Sequence, residues 1–94
     1  MPQAIARVKV EDYDRFIATF STRGSEKRRE HGCRGVRVFR VLGDPQQIVN
    51  VFDWDRSGIE AFMADPEVPE VMQAAGLQGP PEFTYVEQVE VLES

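Results

Sequence analysis

The stretch Gln47-Ile48-Val49-Asn50-Val51-Phe52-Asp53-Trp54 decides the fold, because it carries large apolar groups on both of its faces. Side chains alternate along a strand, so Ile48, Asn50, Phe52 and Trp54 share one face while Val49 and Val51 take the other. A strand of this kind belongs inside a sheet that needs cover on both sides. Just ahead of it, Gly43-Asp44-Pro45 is a turn by mechanism: glycine admits positive φ and proline presets its own. Residues 34–42 read as another strand, with Val36 and Val38 on one face and Phe39 and Val41 on the other. So short a link makes the two strands an antiparallel hairpin.

Working outward, residues 3–10 alternate again, with Ala4, Ala6, Val8 and Val10 opposed to Ile5, Arg7 and Lys9. Asp12 then fits a helix cap, and Tyr13, Phe16, Ile17 and Phe20 follow at the spacing of one buried helical stripe. The stripe fades into Ser21-Thr22-Arg23-Gly24, where the helix loosens or breaks. Residues 25–30 are polar all round, and Gly32 is a terminator. Past the hairpin, Ser57-Gly58-Ile59-Glu60 fits a capping box, and Ile59, Phe62 and Met63 form the next stripe. Pro66 and Pro69 interrupt that helix, and a short one from Glu70 to Ala75 closes at Gly76. After the loop Gly79-Pro80-Pro81, residues 83–92 alternate as a last strand, with Phe83, Tyr85, Val89 and Val91 against Val86 and Leu92.

The order is β-α-β-β-α-β, without a repeat, a low-complexity segment or a linker. This predicts one α+β domain over residues 1–94, ferredoxin-like, with a four-stranded antiparallel sheet and helices on one face. The helices leave the second apolar face bare. A second copy of the sheet is its simplest cover, so a two-fold homodimer is expected, each sheet packed on the other.

With 94 residues the chain is near the small end of what folds alone, which gives burial against a partner added value. Its single cysteine, Cys33, allows no intrachain disulfide and suits a reducing, cytoplasmic setting. The N-terminus has no basic region followed by an apolar stretch, and no run is long enough to span a membrane. The net charge of −5 is uneven: residues 1–40 hold ten bases and five acids, residues 41–94 one base and eleven acids. The bases concentrate at Arg23, Lys27, Arg28, Arg29, Arg34, Arg37 and Arg40. A solvated helix end and one polar strand face account for them, and an acidic whole repels phosphate at long range, so no nucleic-acid partner is expected.

The chain resembles the dimeric α/β-barrel superfamily, in particular small proteins like the antibiotic biosynthesis monooxygenases. The resemblance runs over nearly the whole length. It is carried by the element order, by Val10-Glu11-Asp12-Tyr13-Asp14 and Gly32-Cys33-Arg34-Gly35, and by Val51-Phe52-Asp53-Trp54-Asp55 and Ala75-Gly76-Leu77. Proteins of this fold include oxygenases, isomerases and haem-degrading enzymes, so the fold by itself does not fix the activity.

The resemblance implies roles for Asn50 and Trp54, because cofactor-independent oxygenases of this type use an Asn and a Trp at this strand position, in a pocket between sheet and helices. An asparagine amide can donate to an enolate or phenolate oxygen, and a tryptophan supplies an aromatic wall with one N–H donor. Such enzymes also recruit a tyrosine and an arginine from the second helical region; residues 60–75 contain neither, which leaves Tyr85 and Arg40 as substitutes. Phe52 lies between Asn50 and Trp54 and would help hold a ring. Tyr13, Phe16 and Phe20 with Phe62 and Met63 could line a pocket for a flat ligand, although such a stripe also serves as plain core.

His31 is the only histidine and, with Tyr85, the candidate for moving a proton; its simpler reading is a solvated residue at a helix end. Cys33, two residues on, reads as a small buried hydrophobe, and no Cys–His pair is implied. No zinc-like ligand spacing, phosphate loop or paired-cysteine motif is present, so neither metal nor organic cofactor is expected. The sequence therefore points to a cofactor-free monooxygenase-type enzyme acting on a small hydrophobic, aromatic or polyketide-like compound. The alternatives are an isomerase or cyclase on the same scaffold, or a non-catalytic dimeric binding protein.

Overall fold

Every second residue of the first strand is buried under helices, and that alternation organises the rest of the chain. The computed structural model describes residues 2–94. Strand β1 (Pro2–Lys9) is followed by helices α1 (Tyr13–Phe20) and α2 (Arg23–Glu30), then by strands β2 (Gly35–Val41) and β3 (Asp44–Asp53). Helices α3 (Arg56–Ala64) and α4 (Val68–Ala74) lead to the last strand, β4 (Glu82–Glu87). The four strands form one antiparallel sheet in the order β2-β3-β1-β4, the ferredoxin-like arrangement. Among the described residues, no helix is long and apolar enough to cross a membrane.

Ala4, Ala6 and Val8 of β1 and Ile48, Asn50 and Phe52 of β3 make up the helix-covered face, continued by Val10 and Trp54 just past the strand ends. Phe16 from α1, Ile59 and Phe62 from α3 and Val68 from α4 close over it. The small alanines of β1 let large rings from β3 and the helices interdigitate above them. On the opposite face Ile5, Phe39, Val49, Val51 and Val86 lie on adjacent strands with no helix over them, and Phe39 is 49% exposed.

Local chemistry sets the helix ends. The Asp12 carboxylate accepts from the Arg15 backbone N–H at 2.9 Å, capping α1 as expected. The helix does break after Phe20, and α2 restarts at Arg23. The expected capping box at Ser57 is corrected: Asp55 is the cap of α3, accepting from the Gly58 N–H at 2.8 Å, while the Ser57 hydroxyl donates to the same carboxylate oxygen at 2.9 Å. Glu60, freed from capping, pairs with Arg56 at 2.7 Å. Helix α4 begins at Val68, two residues earlier than expected, because Pro69 sits in its first turn, where its missing N–H costs nothing.

Two strand boundaries also differ. Leu42 and Gly43 alone link β2 to β3, Gly43 having φ +85°, so Asp44 and Pro45 already belong to β3, and the register shifts between Arg40 and Val41. Strand β4 ends at Glu87 rather than at Leu92. Glu87 lies opposite Pro2 of β1, and Val89, Val91 and Leu92 beyond it are exposed.

The end of β3 is fastened to the helices at one junction. The Trp54 indole N–H donates to the His31 carbonyl oxygen at 2.8 Å, joining β3 to the end of α2. Gly58 of α3 packs against both groups, so closely that a Cβ there would fall on the His31 carbonyl oxygen and the indole nitrogen. Gly58→Ala is expected to destabilise the fold by about 1–3 kcal/mol through overpacking. Denaturant unfolding followed by the fluorescence of Trp54, the sole tryptophan, measures it; unchanged stability would mean that the junction yields.

Candidate functional site

Between sheet and helices lies a cavity of about 60 Å³, lined almost wholly by apolar atoms. Ala6, Val8, Asn50, Phe52 and Phe83 form its sheet side; Phe16, Phe20, Gly24, Arg28, Phe62 and Met72 are among its helix side. Trp54 closes one end, its ring centroid 5.6 Å from that of Phe52 and 5.1 Å from that of Phe62. Six residues singled out from the sequence thus meet here: Phe16, Phe20, Asn50, Phe52, Trp54 and Phe62.

Asn50 is 2% exposed, and its Oδ1 is buried without a hydrogen-bond partner among the described residues. The register explains this. Asn50 lies opposite Ala6 on one side and Val38 on the other, and neither side chain can donate. A buried amide left this way costs the fold about 1–3 kcal/mol unless something supplied from outside satisfies it. Trp54 differs from expectation in one respect: its N–H is spent on His31, so it serves the cavity as a wall and not as a donor.

The other residues singled out from the sequence lie outside the lining. His31 sits behind Phe62, ring centroids 6.0 Å apart and edge to face, with its Nε2 2.9 Å from Asp65 Oδ2. Tyr85 is on the helix-side face of β4 but half-exposed, with the Arg56 guanidinium 5.0 Å from its ring centre. Arg40 and Tyr13 pair with each other, guanidinium over ring at 4.8 Å. Met63 turns toward solvent.

The residue that sequence reasoning missed is Arg28, which belongs to a segment read as polar all round. It is 7% exposed and lines the cavity, with its guanidinium 3.8 Å above the centre of the Phe20 ring. Gly24, one turn earlier, makes room: a Cβ there would come within 3.0 Å of Arg28 Nη1. That glycine, four residues ahead of an arginine, was the available signal that one face of α2 is buried. Burial pulls the guanidinium below the usual arginine pKa, yet an arginine stays protonated in a folded protein.

Outside the cavity, Lys27 and His31 converge on Asp65. Lys27 Nζ lies 2.7 Å from Asp65 Oδ2, 2.8 Å from Glu30 and 3.2 Å from Glu67. The ligand atoms of Glu30, His31 and Asp65 lie within 4.8 Å of one another, as a metal site would need, but the ammonium of Lys27 already serves these carboxylates as their cation. The bonds from Lys27 and His31 and the Glu67 backbone N–H hold the Asp65 carboxyl far below the usual range, and the same contact raises Lys27.

No family model matches the sequence, and no curated protein matches it significantly. Solved structures do. A candidate antibiotic biosynthesis monooxygenase from Bordetella bronchiseptica superposes with a TM-score of 0.76 at 23% identity, covering 95% of this chain and 97% of that one. The cofactor-independent oxygenase SnoaB from Streptomyces nogalater gives 0.74 at 17% identity, covering 99% and 97%. A candidate antibiotic biosynthesis monooxygenase from Nitrosomonas europaea gives 0.67 at 14% identity, covering 96% and 100%. The chain therefore has the α+β ferredoxin-like fold of the antibiotic biosynthesis monooxygenase-like structures.

Asp65 has a folded pKa below its unfolded one, so its contribution to stability is full above the unfolded value of about 4 and is lost as pH falls below it. Lys27 has a folded pKa above its unfolded one, so its contribution is lost as pH rises past the unfolded value of about 10. Asp65→Asn is expected to lower the Tm at neutral pH and to flatten both flanks of the profile. Thermal unfolding across pH measures this; parallel profiles for variant and parent would dissolve the coupling.

Proposed function

We propose that the cavity binds a small hydroxylated aromatic compound and that the chain is a cofactor-independent oxygenase acting on it. The observation that carries this reading is the orphaned Asn50 amide in the wall of an otherwise apolar cavity. Its oxygen accepts a hydrogen bond from a substrate hydroxyl. Rotated by half a turn, the same amide presents N–H to the oxyanion that forms on deprotonation, stabilising the electron-rich state that reacts with oxygen. Phe52, Phe62 and Trp54 grip the ring. A volume of about 60 Å³ suits a single small ring, or the reactive end of a larger compound, better than an enclosed polycycle.

A second reading, a binding protein without turnover, has its own support. Among the described residues the lining contains no carboxylate, histidine, tyrosine or cysteine, so no conventional general base faces the cavity. An isomerase or cyclase meets the same difficulty more severely, since it must both remove and return a proton.

Asn50→Leu discriminates. If the amide is kept for a ligand, replacing it with an apolar group of similar size should raise stability by up to about 1–3 kcal/mol while abolishing ligand response. Oxygen uptake with a panel of phenols and naphthols should vanish in Asn50→Ala with the fold intact. Uptake at the parental rate in that variant would remove Asn50 from the chemistry; binding without uptake in the parent would favour the binding protein.

The bare sheet face is read as the seat of a second copy. Ile5, Phe39, Val49, Val51 and Val86 form its apolar patch, and the exposed tail with Val89, Val91 and Leu92 adds surface that a partner would cover. Native mass spectrometry should give twice the 10.7 kDa chain mass, and Val51→Asp should give the single chain. A monomeric parent would reject this pairing.

A further inference from the structure

We propose that Arg28 is the residue that selects the ligand's charge: the cavity holds its aromatic compound as an oxyanion, a phenolate, against the Arg28 guanidinium. The inference rests on the ligand site proposed above and deepens it.

Four observations converge on Arg28. It is nearly buried and lines the same cavity as the orphaned Asn50. Among the described residues no carboxylate lies within ion-pair distance of it, whereas Arg15, Arg23, Arg34 and Arg56, all more exposed, each have one. Its partners are neutral groups: Nη2 donates to the Phe20 carbonyl oxygen at 3.0 Å, and the guanidinium also contacts the Cys33 thiol. Finally, one flat face of its guanidinium is covered by the Phe20 ring, itself part of the cavity lining, which holds the cation beside the cavity.

A buried cation without a counterion is costly, and it persists where a ligand supplies the missing charge. The one titratable group beside it, Cys33, cannot do so, because burial holds its thiol neutral. Arg28 also resolves the difficulty left by a lining without a base. A phenol that enters next to a desolvated guanidinium ionises more readily and gives its proton to solvent on the way in, so no side chain has to remove it.

The test uses 4-nitrophenol, whose ionised form is yellow, and its uncharged methyl ether 4-nitroanisole, with the parent protein, Arg28→Met and Arg28→Lys. The parent should bind nitrophenolate at least tenfold more tightly than nitroanisole, and bound dye should turn yellow at a lower pH than free dye. Arg28→Met should lose at least tenfold for nitrophenolate with nitroanisole binding unchanged, and Arg28→Lys should recover part of the preference. Equal affinity for nitrophenolate in parent and Arg28→Met overturns the proposal, as does an equal loss for both probes, which would mark Arg28 as purely structural. Parental binding of nitroanisole without preference for the anion overturns the charge selection alone and leaves the cavity reading standing. Binding of neither probe rejects the cavity reading itself. Should Arg28→Met fail to fold, the parental dye shift and Arg28→Lys decide the matter.

Discussion

The hydrogen bond from Trp54 to the His31 carbonyl is the fastening on which the other features depend. It joins the end of the central strand to the end of α2 under the first turn of α3, and Gly58 is the residue that lets the three approach. A tryptophan buried with its N–H unpaired would be unfavourable there, and a larger residue at position 58 would push α3 away. With the junction closed, Trp54 stands edge to face with Phe62 at the end of the cavity, and Asp55 caps α3 one residue farther on. Fold and site thus share one joint.

Above that joint the interior is well satisfied except in the cavity. Among the described residues core polar groups are few, and two of them are incompletely matched: the Asn50 amide oxygen has no hydrogen-bond partner, and the Arg28 guanidinium has no carboxylate beside it. Both belong to elements that could have carried apolar side chains without changing the fold. That a small protein with a modest core tolerates two such groups on one cavity is the strongest structural reason to look for a ligand there. The ion-paired cluster of Lys27, His31 and Asp65 is the opposite case, polar groups that satisfy one another and so need nothing from outside.

Period and face carried most of the fold in the sequence. The alternation in residues 47–54 and 3–10 and the stripe from Tyr13 to Phe20 put each apolar side chain on the face where it is found, because burial leaves a strand register little freedom. The cap at Asp55 was obscured by Ser57, which offers the same chemistry two residues on, and both bind the one structure. The end of β4 was not legible, since residues 88–92 alternate as a strand does although Val89, Val91 and Leu92 are exposed beyond Glu87. For the cavity, the resemblance singled out Asn50 and Trp54, and alternation along residues 47–54 put them on one face with Phe52, so that all three line it. Arg28 was not found because its burial comes from α1 and α4 packing on a helix whose own composition is polar. Likewise His31 looked chemically able, but the contacts that turn it to Asp65 come from the far side of α3.

The strand order has a consequence for how the molecule behaves at a distance. Strand β2, at one edge of the sheet, bears Arg37 and Arg40 and no acid; β4, at the other edge, bears Glu82 and Glu87 and no base. The two edges of the sheet thus carry charge of opposite sign, a difference directed across the strands. Were two copies to meet by their bare faces, as proposed above, the field would turn the basic edge of each toward the acidic edge of the other. Of the ways to lay one sheet on another, that field favours a rotation axis running along the strands and disfavours one running across them.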